Sequence, residues 1–217
     1  MKKLLLLSII FLTGCSVEYN LSYYNDVFSE SIDVILPKTD PLYSSRKEEL
    51  VKKNVYVYSD QTRQEYYKKD SKNLVNSFVM NYNHNYDFLS FRSSRALNEC
   101  FEIAAMTYDD DNIYISTQGK FKCLNFNNED LEEVKFIFTT NHKLKNNNAD
   151  ITDNNSYTWI FNKDNLDKKI EITIDKDEFV ADTSWIKPFL ISVGIIITLA
   201  AIIALIYFYR FKKVDKI

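Results

Sequence analysis

Val17-Glu18-Tyr19-Asn20-Leu21-Ser22-Tyr23, then Asn25-Asp26, then Phe28-Ser29-Glu30-Ser31-Ile32-Asp33-Val34-Ile35-Leu36: this stretch decides the fold. Val17, Tyr19, Leu21 and Tyr23 alternate with polar neighbours, and Ile32, Val34 and Leu36 do the same. A period of two with tyrosine and β-branched residues is the pattern of a half-buried strand. Asn25-Asp26 supplies the turn between two such runs, and Pro37 and Pro41 end the second. The reading is a β-hairpin that starts two residues after Cys15.

Further along the chain the strand signal continues. Ser45-Arg46-Lys47-Glu48 has the spacing of a capping box, and Val51, Val55 and Tyr58 follow at helical intervals, so Arg46 to about Tyr58 is expected to be a helix. Val55-Tyr56-Val57-Tyr58 also reads as a strand. One or two Tyr- and Phe-rich strands lie between Glu65 and Phe91, and a short helix covers Ser93 to Cys100. Phe101 to Tyr108, Ile113 to Thr117, Lys120 to Phe126, Val134 to Thr140, Tyr157 to Phe161 and Lys169 to Ile174 complete the strands. Asp109-Asp110-Asp111-Asn112, Asn146-Asn147-Asn148 and Asp153-Asn154-Asn155 mark turns, and Asp175 to Ser184 a polar spacer. The expected class is α+β, a mainly antiparallel sheet with about two helices on one face, plus one C-terminal transmembrane helix.

Both ends of the chain carry membrane signals. Lys2 and Lys3 precede the apolar run Leu4 to Leu12, and Thr13-Gly14-Cys15 closes it. The three parts are those of an export signal covering residues 1–14. Nine residues at about 1.5 Å each cover half of a ~30 Å hydrocarbon core, so the run is too short to span. Small residues directly before a cysteine resemble a bacterial lipoprotein signal, in which the Cys15 thiol takes a diacylglyceryl group. At the other end, residues 185–209 are expected to span. Phe189 to Phe208 has no charge, and Trp185, Tyr207 and Tyr209 flank that core. Arg210, Lys212, Lys213 and Lys216 would place the 210–217 tail in the cytoplasm by the positive-inside rule. A domain covering residues 15–184, on the extracytoplasmic face of a bacterial cell membrane, would then be held close to that membrane at both termini.

Seven of the 27 basic residues and one of the 30 acidic residues lie outside Ser16–Trp185, which leaves that part near −9. Such a charge argues against nucleic acid and against a basic patch on anionic headgroups. Catalytic motifs are missing. Between Cys15 and Trp185 the only glycine is Gly119, so neither a phosphate-cradling loop nor a G-x-S-x-G elbow exists. His84 and His142 stand in Asn-rich surroundings and read as surface turn residues. The Asp109–Asp111 run lacks the glycine and terminal glutamate of a calcium loop. Glu129-Asp130 and Glu132-Glu133 read as an exposed acidic stretch. No cofactor and no metal site is implied, and the chain is not expected to be an enzyme.

Lipidation of Cys15 leaves Cys100 and Cys123 as a pair in a compartment that permits oxidation, and they are expected to form a disulfide. The tyrosines and phenylalanines at Tyr23-Tyr24, Tyr66-Tyr67 and Tyr82, Tyr86, Phe88 and Phe91 either line a groove or fill and decorate the sheet. Core and strand decoration is the simpler reading.

Tyr157-Thr158-Trp159-Ile160, followed by Lys169-Ile170-Glu171-Ile172 and Trp185, in a strand-rich acidic domain behind Cys15, resembles the LppM-type bacterial membrane lipoproteins. The resemblance implies an extracytoplasmic α/β domain associated with lipid or glycolipid recognition. It assigns no functional residue, and the Cys100/Cys123 pair has no place in it. The functional expectation is a membrane-anchored surface lipoprotein that binds a lipid, glycan, peptide or protein partner at the membrane surface. An accessory subunit of an envelope assembly or transport complex is the alternative, and an envelope glycan hydrolase comes third.

Overall fold

The computed structural model describes residues 15–52, 67–85, 87, 94–126, 129–179, 192, 195, 197 and 198. The chain divides into two units, Met1–Val180 and Ala181–Ile217. The first contains a seven-stranded and a four-stranded sheet that share one core, and a two-stranded one.

The hairpin forms as its alternation requires. β1 (Ser16–Tyr24) and β2 (Val27–Pro37) pair antiparallel from Ser16 opposite Ile35 to Tyr24 opposite Val27. Asn25 and Asp26 both take positive φ, 51° and 63°, the two-residue turn whose twist suits a hairpin. Tyr23 Oη donates to Asp26 Oδ1 at 2.8 Å across it.

β3 (Tyr67–Asn73) and β4 (Ser77–His84) extend this sheet beyond β2. On the other side β9 (Glu133–Thr140), β12 (Ser156–Phe161) and β11 (Ile151–Asp153) complete seven strands in the order β11-β12-β9-β1-β2-β4-β3. One pairing is parallel: β1 lies beside β9 with Val17 opposite Val134 and Tyr23 opposite Thr140. The second sheet, β10-β13-β6-β5, is antiparallel throughout. It consists of β5 (Ile103–Tyr108), β6 (Asn112–Gln118), β10 (His142–Asn147) and β13 (Glu171–Phe179). The short β7 (Asn125–Phe126) and β8 (Glu129–Asp130) pair with each other. The chain passes from the large sheet to the small one across a single residue, Asn141, where the His142 N–H donates to Thr140 Oγ1 at 3.1 Å.

The core is the inner face of both sheets. Trp159, Tyr82, Phe28, Phe136, Phe138 and Phe161 are among its fully buried side chains. Burial of each such ring contributes about 1.5–3 kcal/mol. Trp159 keeps its indole N–H satisfied by donating to Asn148 Oδ1 at 2.7 Å. α1 (Tyr43–Lys52) inserts Leu50, and α2 (Arg95–Cys100) inserts Ala96, Leu97 and Cys100.

Several expectations need correction. The described domain is sheet-rich with two short helices, rather than the expected α+β fold, and the expected transmembrane helix is not shown. Among the described residues no helix is long and apolar enough to cross a membrane. Of the expected span 185–209, only Ser192, Ile195, Ile197 and Thr198 are described, as helical; the rest lies outside the described residues, as do the 1–14 signal and the 210–217 tail. α1 begins three residues before Arg46: the Asp40 carbonyl accepts the Tyr43 N–H at 3.0 Å, its Oδ1 accepts the Leu42 N–H at 2.7 Å just before the helix, and Ser45 Oγ donates to the Leu42 carbonyl instead of capping. The described helix ends at Lys52, so Val55–Tyr58 also lies outside. Lys120 to Phe126 is no full strand; Lys122 N–H donates to the Cys100 carbonyl at 2.9 Å, and only Asn125–Phe126 pairs as strand. Asn146 and Asn147 end β10 instead of forming a turn, and Asp175 to Phe179 extends β13 instead of starting a spacer.

Candidate functional site

Cys15 stands directly before β1, with no linker. Its neighbour Ser16 lies opposite Ile35 on β2 and Glu133 on β9. Cys15 itself is 2% exposed. At the same end of the sheet, Pro37 closes β2 opposite Ser77 of β4, so the β3–β4 turn, Leu74-Val75-Asn76, sits beside the residues that follow β2.

Backbone bonds lock these two loops together. Lys38 N–H donates to the Asn76 carbonyl at 2.9 Å, and Leu74 N–H to the Ser77 carbonyl at 2.9 Å. Lys38 Nζ donates to the Leu74 carbonyl at 2.5 Å. Asp40 is buried, accepts from Leu42 N–H and pairs with Arg46 Nη1 at 2.8 Å. The loops are therefore fixed, and they hold apolar side chains outwards: Leu42 is 56% exposed, Leu74 50% and Val75 88%. Sequence reasoning missed this feature. Its signal was a Leu-Val pair at a hairpin turn, where polar residues or glycine are usual.

A buried polar cluster lies deeper on the same inner face. β2 places Glu30 in the row of Phe28, Ile32, Val34 and Leu36. Its carboxylate accepts from Tyr67 Oη at 2.6 Å, from Ser94 Oγ, and from the backbone N–H of Arg95 at 3.0 Å. Ser94 is the N-cap of α2 and accepts from Leu97 N–H at 3.4 Å. Arg95 is buried and pairs with Glu99 at 2.7 Å. Burial pushes the Tyr67 hydroxyl well above its ordinary range, and the Glu30 carboxylate adds to this, so Tyr67 remains a donor. Tyr19 is pushed up likewise by its burial. Through Glu30, Tyr67 and Ser94 the cluster joins β3 and α2 to β2, and the Arg95–Glu99 pair lies within α2.

His142 is no surface turn residue. It is buried, its ring lies between those of Tyr23 (5.6 Å) and Phe179 (4.5 Å), and its Nδ1 is 3.1 Å from the Asp175 carbonyl. That carbonyl only accepts, so Nδ1 carries the proton. The neighbouring Asp175 carboxyl is held below the usual carboxylate range, first by the Lys145 ammonium at 3.0 Å and then by the N–H groups of Asp177 and Glu178. His84 closes β4, its ring 5.0 Å from that of Tyr67.

The remaining candidates are placed as follows. Cys100 and Cys123 form a disulfide with Cα atoms 5.0 Å apart, leaving Cys15 outside the bridge. Asp109 organises the β5–β6 turn, accepting from Asn112 N–H at 2.7 Å and from Tyr114 Oη at 2.8 Å. Tyr23, Tyr67 and Tyr82 are core residues rather than groove walls, while Tyr66, Tyr86, Phe88 and Phe91 lie outside the described residues. Glu133 pairs with Lys135 at 3.4 Å.

β1 runs from Cys15 to Tyr24, parallel β9 runs the same way, and β10 turns back from Thr140. β13 is antiparallel to β10, so Phe179 returns to the His142 end, opposite His142 in register. Cys15 and Phe179 therefore sit at opposite ends of the strands.

No family model matches the sequence, and no curated protein matches it. Among solved structures, the folded domain of the Mycobacterium tuberculosis LppM protein is similar with a TM-score of 0.43 and 8% identity, over 81% of this chain and 96% of that one. The resemblance is weak and lends no residue to the site.

Proposed function

We propose that the chain is a bacterial surface lipoprotein, tethered through an acylated Cys15, whose sheet-rich domain binds a ligand or protein partner at the membrane surface. The observation that carries this reading is the position of Cys15. It follows Thr13-Gly14 at the end of an apolar run and precedes the first residue of β1. Removal of residues 1–14 would thus leave β1 whole. In the covalent step the Cys15 sulfur forms a thioether with a phospholipid's glyceryl carbon as the headgroup phosphate leaves. Cleavage of the Gly14–Cys15 bond then makes Cys15 the first residue. Binding rather than catalysis fits a domain whose clustered polar side chains are committed to one another, as Glu30, Tyr67 and Ser94 are.

Mass spectrometry of the mature N-terminus tests this. A diacylglyceryl-modified Cys15 as residue one is expected, and Cys15→Ser should accumulate as unprocessed precursor. An unmodified N-terminus at another residue overturns the reading.

A further inference from the structure

We propose that the end of the domain formed by Leu42, Leu74 and Val75 is a membrane-docking tip that inserts into the lipid bilayer beside the Cys15 anchor. For its orientation this deepens the lipoprotein reading, since Cys15 enters the large sheet at that end. Ser16 opposite Ile35 and Pro37 opposite Ser77 put the anchor on β1 and the tip on β4 at the same end of the sheet, with β2 between them.

Three observations favour a bilayer as the occupant. The first is rigidity. The loops are tied by Lys38 N–H to the Asn76 carbonyl, and by Asp40 to Leu42 N–H and Arg46, so exposing the side chains is a property of the fold. The second is size. Three projecting side chains offer far less than the about 800 Å² per partner that a stable protein interface buries, whereas insertion needs only tips that reach past the headgroups. The third is charge. Lys38 and Lys72 flank the tip, and the nearby Asp40 carboxylate is neutralised by Arg46. At the other end of the strands Asp26, Asp109, Asp110, Asp111, Asp177 and Glu178 gather around the β1–β2 turn, the β5–β6 turn and the end of β13, with Lys143 paired to Glu178 and Lys176 beside the β5–β6 turn. The anchor end carries Glu132 and Glu133, the latter paired with Lys135, so the lysines beside the tip itself, Lys38 and Lys72, are what an anionic headgroup layer would meet there.

Depth measurement on the full chain tests the proposal. Val75→Cys, and separately Asp110→Cys, is labelled with an environment-sensitive fluorophore and reconstituted into phosphatidylcholine–phosphatidylglycerol vesicles containing 5-doxyl lipid. The label at position 75 should shift to the blue and lose most of its emission to the doxyl groups, while the label at 110 stays water-like and unquenched. Adding Leu74→Asp to Val75→Cys should restore a water-like spectrum. An unquenched label at 75 overturns the docking, as does a blue shift that appears without vesicles, which would assign the tip to a second copy of the chain. The N-terminal mass is read on the same samples. Acylated Cys15 with an unquenched tip sinks the docking alone; an unmodified Cys15 with a quenched tip sinks the lipoprotein reading alone.

Discussion

The Tyr67 hydroxyl donates to Glu30 Oε1 at 2.6 Å, joining edge strand β3 to β2 across the inner face of the large sheet. The same carboxylate holds the first turn of α2 through Ser94 and Arg95 N–H. One acidic side chain thus fixes two elements that alternation alone leaves loose. Replacing it strands the Tyr67, Ser94 and Arg95 donors in the core, and each unsatisfied buried group costs about 1–3 kcal/mol. Glu30→Ala should lower unfolding free energy by about 3 kcal/mol, and Glu30→Gln by less because its amide oxygen still accepts. Urea denaturation with equal m-values measures both. Equal, small losses would mean that the cluster contributes little.

Cys100 and Cys123 close a loop of 23 residues between the end of α2 and the turn after Phe121. Beside the bridge the rings of Phe101, Phe121 and Phe161 pack at 4.2 to 5.6 Å. The bridge should therefore add stability by restricting the unfolded chain more than by shaping the native one. Cys100→Ala with Cys123→Ala should lose about 3 kcal/mol on the chain-entropy model while keeping the far-UV circular dichroism spectrum. Loss of the spectrum would show that the aromatic trio cannot hold this region alone.

How much of this was legible in the sequence follows from where each signal resides. The β1–β2 hairpin, β9 and β12 were readable because a period of two is a local property, and so was the turn at Asn25-Asp26. The Cys100–Cys123 pairing was readable by elimination once Cys15 was set aside. The parallel contact of β1 with β9 was not, since nothing at Val17 or Val134 marks which strand becomes the neighbour. The Asn-rich end of β10 hid for a different reason: Asn146 and Asn147 are strand residues by pairing with β13, against their own preference. His142 was misread because its burial comes from Tyr23 and Phe179, both far away in the chain. Of the docking tip, only Leu74-Val75 could have been suspected; Leu42 joins it solely through the fold.

Asp175 links pH to stability. Its carboxyl is held below the usual range, first by Lys145 and then by the backbone N–H groups of Asp177 and Glu178. A depressed native pKa means that the unfolded state binds the proton more readily. The contribution is therefore fully present above the ordinary carboxyl pKa of about 4 and fades as pH falls below it. Asp175→Asn should flatten the acid limb of the stability curve below about pH 4 and leave its shape near neutrality unchanged. Chemical denaturation across that window decides it; an identical acid limb in the variant would exclude Asp175 as a contributor.

Gly119 is the position at which the backbone itself demands a residue type. It follows β6 with φ at +85°, where L side chains are strained, and an added Cβ would lie 2.6 Å from Glu102 Cγ and 2.7 Å from its Cβ. Two separate costs are superimposed here, one from the dihedral and one from the contact. Gly119→Ala should destabilise the domain by about 1–3 kcal/mol. Removing the Glu102 side chain by Glu102→Gly in the same chain should recover the steric part and leave the dihedral part. Thermal melting of wild type, both single variants and the double variant separates the two, because only the steric part produces coupling in the cycle. Additive losses would mean that Glu102 swings aside without cost. The strain would then lie in the backbone alone.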